Sequence, residues 1–189
     1  SAGELKRRLG RSEQPFAVMV RNTDYVTRIE KISISERLLL ESSSRPIVVL
    51  EKRDMTAHKE ISNLHTIGCM LPYTGLHHLL FSCLAHPFLV MTSANMPGYP
   101  MITDIDRAMA MLNRDVDFFL THNRKIVNRC DDSVVRDGFI IRLSRGMAPK
   151  RTGIDLGERS ILGVGPELNS NITVYKDFPA LEWVLKFSN

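Results

Sequence analysis

Short apolar runs closed by proline, glycine or a polar cluster constrain this chain more than any other feature. Phe16-Ala17-Val18-Met19-Val20, Ile47-Val48-Val49-Leu50, Thr66-Ile67-Gly68-Cys69-Met70-Leu71 and Phe88-Leu89-Val90-Met91 are each too short for an amphipathic helix and fit buried strands. Helical signals lie between them. Ser33-Ile34-Ser35-Glu36 has the form of a capping box, with a short helix to about Leu40. Leu76, Leu79, Leu80, Cys83 and Leu84 fall at the spacing of one helix face. Thr103-Asp104-Ile105-Asp106 caps a further helix with Ile105, Ala108, Met109 and Leu112 as its inner face. The polar stretch from Lys52 to Asn63 reads as a loop with a short helix.

Later, strands dominate. Val116 to Leu120, Ser133 to Val135 and Phe139 to Leu143 read as strands, the last two joined through Asp137-Gly138, a hairpin signal. The expected fold is α/β (α+β), a mixed sheet with helices packed on it. Pro, Gly and charge replace apolar pattern over Pro149 to Arg159, which divides the chain into a domain at 1–150, a linker at 151–160 and a segment at 161–189. In that last segment Ile161 to Gly165 and Ile172 to Tyr175 read as strands, but about thirty residues cannot bury a core of their own. The expectation is the truncated start of a second domain. A strand so close to the N-terminus also predicts further material upstream.

Composition narrows the function classes. No apolar run among the 189 residues approaches the ~18 of a membrane span. SAGELKRRLG carries basic residues without an apolar region behind them, so it is no secretory signal. Cys69, Cys83 and Cys130 are odd in number and form no CxxC pair, against a disulfide framework or a zinc knuckle, and a reducing cytoplasm is expected. The net charge of +4 suits phosphate-bearing ligands, nucleotide or RNA, and equally a solvated surface.

The polar residues that can carry chemistry cluster at strand ends. Thr92-Ser93-Ala94-Asn95 follows the fourth run at once, and Pro97-Gly98 fits the centre of a type II turn; strand exits of this kind are favoured ligand positions in open sheets. Asn128-Arg129-x-Asp131-Asp132-Ser133 and Arg142-x-x-Arg145-Gly146 are two further groups. Arginines meet phosphate oxygens in bidentate fashion, and hydroxyls and amides satisfy the remaining lone pairs. Asp131 and Asp132 stand open between holding Mg²⁺ through phosphates and pairing with nearby arginines. His77 and His78 flank their helix's apolar stripe, and Cys130 reads as a small buried filler. Neither GxxxxGK[ST] nor GxGxxG is present.

Taken in order, PFAVMV, RPIVVL, TIGCMLPYTGLHHLLF, PFLVMTSANMPGYP, FFLTHNRKIVNRCDDSVVR and IIRLSRGMAP closely resemble the YrdC-like domain of the HypF family over roughly residues 5 to 150. ILGVGPELNSN resembles the start of the ASKHA-type domain that follows in that family. The resemblance implies a YrdC-like twisted mixed sheet. It also implies a part in making carbamoyl adenylate from carbamoyl phosphate and ATP with Mg²⁺, releasing pyrophosphate. The carbamoyl group would pass to the C-terminal cysteine of HypE, as the source of cyanide ligands in nickel–iron hydrogenase maturation. On this resemblance Ser93 and Asn95 match a Ser-x-Asn nucleotide and substrate motif. Ser133 matches a hydroxyl at the phosphates, and Arg142 or Arg145 an arginine near the triphosphate.

Two departures accompany the resemblance. The family's Lys-x-Arg pair ahead of PFAVM has its arginine at Arg11, but Leu9 stands at the lysine position. In the tail, Asn169 stands where lysine is usual, and DFPALEWVLKFSN leaves the pattern. Two other readings therefore accompany the first: a YrdC-like module that binds nucleotide or double-stranded RNA without turnover, and an inactive remnant.

Overall fold

The computed structural model describes residues 1–11, 13–96, 98–151, 153, 157–165 and 171–176, with the backbone of 183–186. Five helices and nine strands lie within these residues. They are α1 (Ala2–Arg8), β1 (Ala17–Val20), α2 (Thr23–Ile29), α3 (Ile34–Glu41), β2 (Ile47–Glu51), β3 (Thr66–Met70), α4 (Gly75–Cys83), β4 (Phe88–Met91), α5 (Ile105–Leu112), β5 (Val134–Arg136), β6 (Phe139–Arg142), β7 (Ser160–Val164), β8 (Asn171–Lys176) and β9 (Trp183–Lys186). The first six strands form one mixed sheet in the order β4-β1-β3-β2-β5-β6. The four apolar runs supply its four neighbouring strands β4, β1, β3 and β2. β1 pairs parallel with β3 and antiparallel with β4, while β2 pairs antiparallel with β3 and parallel with β5.

The pleat assigns alternate residues to opposite faces. On one face Val18, Val20, Val48, Leu50, Ile67, Cys69 and Leu71 pack with Val26 of α2 and Leu40 of α3, and this is the main core. On the other, Met19 and Met70 pack with Phe81 of α4 and half-buried Tyr73, Leu89 and Met91. Arg21 holds α4 in place by donating to the carbonyls of Phe81 (3.1 Å) and Leu84 (2.6 Å), near the helix C-terminus. That second face is covered only in part.

The expected capping box of α3 is present: Ser33 Oγ accepts from the Glu36 N–H, and the Glu36 carboxylate accepts from the Ser33 N–H. The β5–β6 hairpin turns through Asp137 and Gly138, both at positive φ, as a type I′ turn requires.

Other expectations are corrected. α1 and α2 are helices where none was expected. α1 buries no residue, and two turns of α2 are too few to display a 3.6-residue repeat. The Lys52–Asn63 stretch forms hydrogen-bonded turns and no helix. Val116 to Leu120 is not a strand and Phe118 is 92% exposed; Arg8 ties this segment to α1 through Asp117 Oδ1 (3.0 Å) and the Asp115 carbonyl. α4 turns its other side inward: Phe81 is buried and His77 half-buried, while Leu76, Leu79 and Cys83 face solvent. α5 buries only Leu112, with Ala108 half-buried and Ile105 and Met109 exposed.

In the tail, β7, β8 and β9 form a separate antiparallel three-stranded sheet, with two of its strands where Ile161 to Gly165 and Ile172 to Tyr175 predicted them. Pro97 of the expected turn, residues 152 and 154–156 of the linker, Asn169 and the side chains after Lys176 lie outside the described residues.

Candidate nucleotide-binding site

Where α4 leaves the sheet uncovered, a cavity of about 660 Å³ opens over it. Its floor is one pleat face: Ala17 of β1, Gly68 and Met70 of β3, Ile47 and Val49 of β2, and Val134 of β5. Two polar walls rise from opposite sides of that floor. One is Arg11 with Thr92 and Ser93 at the exit of β4; the other is Cys130, Asp131 and Asp132 ahead of β5 with Arg142 at the end of β6.

Arg11 is the unusual residue. It is only 8% exposed, yet among the described residues no carboxylate meets it. Its guanidinium donates to the Thr92 hydroxyl, to the Asn95 carbonyl (2.8 Å) and to Asn95 Oδ1 (2.7 Å), while its Nε is buried without a partner. Burial lowers its pKa, though a guanidinium stays charged at any working pH. A buried cation held only by neutral oxygens is costly unless an anion completes its shell. Asn95 Oδ1 also accepts from the Ser93 hydroxyl, and its amide donates to the Tyr99 carbonyl (2.7 Å). Asn95 thus stands behind the wall and fixes Arg11 and Ser93 in it.

The opposite wall pairs charges. Asp131 faces Arg142 at 3.7 Å, and Asp132 accepts from Arg145 Nε at 2.7 Å. Arg145 is fully engaged. It also donates to the carbonyls of Ser44 (3.1 Å) and Arg45 (2.7 Å), and its guanidinium lies 3.6 Å over the Tyr73 ring. Gly146 permits this approach, since a Cβ there would stand 2.5 Å from the Ser44 carbonyl oxygen. Burial first, and Asp132 second, raise the Tyr73 pKa; burial lowers that of His77, whose ring meets Tyr73 edge-on.

The structure therefore sorts the residues read from sequence. Arg11, Thr92, Ser93, Asp131, Asp132 and Arg142 line one cavity. Asn95 and Arg145 brace it from behind. Ser133 is fully buried, its hydroxyl donating to the Arg145 carbonyl (3.0 Å) and accepting from the Ser144 N–H (2.8 Å), so it braces the wall from behind and is not among the residues that line the cavity. Arg129 lines a small neighbouring hollow and donates to the Met101 carbonyl at 2.6 Å. Cys130, expected in the interior, is exposed on the cavity wall. Leu9, at the family's lysine position, is 7% exposed and packs inward.

Sequence reasoning missed Tyr73 and the floor. Gly68 was legible, because an isolated glycine inside a strand marks a bulge or a close approach.

A match to the family described as Telomere recombination, Sua5/YciO/YrdC, spans residues 2–144. The chain belongs to the Sua5/YciO/YrdC family. Among relatives of this family member, a probable carbamoyltransferase HypF from Methanocaldococcus jannaschii is 48% identical over 181 residues, covering 92% of this chain and 23% of the relative. The crystal structure of T. kodakarensis HypF superposes with a TM-score of 0.86 at 41% identity, over 99% of this chain and 25% of that one. A full-length HypF in a phosphate- and nucleotide-bound form superposes with a TM-score of 0.83 at 36% identity, over 100% of this chain and 30% of that one. The YrdC-like mixed sheet expected from sequence is thus the fold observed, and the chain spans about a quarter of the length of the relatives it matches. No helix among the described residues is long and apolar enough to cross a membrane.

Proposed function

We propose that this chain is the adenylate-forming part of a HypF-type carbamoyltransferase. MgATP would bind in the cavity over the sheet. The observation that carries this reading is Arg11, a buried cation that no carboxylate meets among the described residues, on the wall of a cavity in the size range of small-molecule sites. The names of the HypF relatives and the nucleotide-bound form of one of them support it.

In this reading, Arg11, Thr92 and Ser93 take triphosphate oxygens at one wall, and Arg142 supplies charge from the other. Asn95 positions Arg11 and Ser93. Magnesium would arrive on the triphosphate, because no group of three His, Cys, Asp or Glu among the described residues could hold a metal alone. Asp131, which lines the cavity 3.7 Å from Arg142, is the carboxylate that would reach it. Hydrolysis of carbamoyl phosphate gives carbamate and phosphate. A carbamate oxygen then attacks the α-phosphorus of ATP, the bond to the β-phosphate breaks, and pyrophosphate leaves with its electron pair. Positioning and charge neutralisation supply the catalysis, so the chain needs no nucleophile of its own. HypE is the expected carbamoyl acceptor.

Double-stranded RNA binding has less support, since Arg7 and Arg8 of the basic entry helix pair with Glu4, and Arg8 also with Asp117. The deciding experiment is exchange of labelled pyrophosphate into ATP by the purified chain, with and without carbamate from carbamoyl phosphate. Carbamate-dependent exchange that Ser93→Ala and Arg11→Gln abolish supports adenylate formation. MgATP binding without exchange selects the nucleotide-binding module; absence of both selects the remnant.

A further inference from the structure

The half-buried Tyr73 ring stands where α4 meets the cavity wall. It lies between the end of β3 and Thr74, the N-cap of α4, and packs against the cluster of Met19, Met70 and Phe81. The Arg145 guanidinium rests 3.6 Å from the ring centroid. All three of its nitrogens donate: Nε to Asp132 Oδ1 (2.7 Å), and Nη1 and Nη2 to the carbonyls of Ser44 and Arg45. These bonds lie around the rim of a planar group and leave its faces to be covered by something else. The Tyr73 ring covers one of them. His77 meets the same ring edge-on at 4.6 Å, and burial lowers its pKa, so near neutral pH it brings no second cation to the ring.

Arg145 in turn grips the cavity wall twice. Its main-chain N–H donates to the Asp131 carbonyl (3.0 Å), and its side chain holds the Asp132 carboxylate. We infer that Tyr73 is a positioning residue: its ring, and not its hydroxyl, holds Arg145 in place and thereby fixes Asp131 and Asp132 on the wall. The role rests on the nucleotide reading above, in which Asp131 reaches the magnesium carried by the triphosphate. A cation is held by an aromatic face more firmly where water is kept out, and the Arg145 side chain is only 21% exposed. Without the π-face, water reaches the guanidinium, its pair with Asp132 is screened, and the wall segment loosens. A leucine fills much of the volume but offers no negative face, whereas phenylalanine keeps it.

MgATP, and ATP with excess EDTA, are titrated calorimetrically into the full chain and into Tyr73→Leu and Tyr73→Phe, whose thermal unfolding is measured alongside. A displaced carboxylate forfeits its hold on the metal and not on bare phosphate. Tyr73→Leu should therefore weaken MgATP by about tenfold and leave magnesium-free ATP within about twofold. Tyr73→Phe should recover MgATP affinity to within about threefold of the parent chain. The Arg145 Nε–H resonance reports the positioning without any ligand. It should exchange slowly with water in the parent and Tyr73→Phe chains and rapidly in Tyr73→Leu. If Tyr73→Leu does not fold, ring-fluorinated phenylalanines at position 73 drain the π-face at nearly constant shape, and MgATP affinity should fall stepwise with fluorine number.

A folded Tyr73→Leu chain that keeps the slow Nε–H or the parent's MgATP affinity overturns the role, as does a flat fluorine series. Equal weakening of both forms of ATP makes Tyr73 a packing residue only, and a Tyr73→Phe chain as impaired as Tyr73→Leu assigns the work to the hydroxyl; either result overturns it too. Failure of the parent chain to bind ATP in either form overturns the nucleotide reading and the metal-linked role with it, while the Nε–H exchange still decides whether the ring holds the wall.

Discussion

The Arg11 guanidinium donates to the Thr92 hydroxyl across 81 residues of sequence, joining the segment ahead of β1 to the exit of β4. Both residues line the cavity, and among the described residues neutral oxygens alone hold the cation there. The contact closes one end of the site and leaves a buried positive charge seeking an anion.

Replacing Arg11 should therefore act on ligand affinity more than on folding. A charge-assisted contact is worth about 1.5–3 kcal/mol, so Arg11→Gln should raise the dissociation constant for MgATP roughly 10- to 100-fold. The loss should shrink as salt rises, because part of the attraction is screened. Titration at low and moderate salt checks both statements, and an unchanged affinity would move the anion site away from β4.

Cysteine accessibility gives an independent map. Cys130 is exposed on the cavity wall, Cys83 is exposed on α4, and Cys69 is buried with its thiol pushed up to about 12 by burial. A thiolate-directed reagent at neutral pH should modify Cys130 and Cys83 and leave Cys69 intact. Saturating MgATP should protect Cys130 and not Cys83, as read by mass spectrometry of the digested protein.

The orientation of α4 is testable through stability. Phe81 is 4% exposed against Met19 and Met70, whereas Leu79 is 65% exposed. Phe81→Ala should cost about 3–5 kcal/mol, and Leu79→Ser should stay within about 0.5 kcal/mol of the parent chain. Urea unfolding separates the two. Reversed magnitudes would restore the helix face expected from sequence.

Glu30 supplies a pH signature. It is 1% exposed with Oε1 unpartnered, and burial raises its pKa, outweighing its hydrogen bond from the Arg53 N–H and the charges of His58, Lys52 and Arg53. A carboxyl with a raised folded pKa binds its proton more tightly in the native state. Its contribution to stability is thus lost as pH rises from the unfolded carboxylate range through the folded pKa. Glu30→Gln should flatten that decline and leave the protein relatively more stable at neutral pH. Thermal melts from pH 4 to 8 read the slope.

The sequence by itself determined the six strands of the main sheet, the α3 capping box, the Asp137–Gly138 hairpin and the polar strand ends. Each is written in local patterns of a few residues that the backbone obeys wherever they fall. It also carried the family resemblance, because the ordered motifs survive without any knowledge of their neighbours. The tertiary structure decided which side of α4 is buried: Leu76, Leu79 and Leu80 keep helix spacing on either side of the fold, and only Met19 and Met70 across the gap select Phe81. It also separated Ser133 and Arg145, which brace the wall, from Arg142, which lines it. Pleat direction and partner carbonyls settle that sorting, and those partners lie as far away as Ser44, 101 residues from Arg145. Whether Arg11 meets a carboxylate is likewise a property of three-dimensional neighbours, and the most informative charge in the molecule could be judged only once they were assembled.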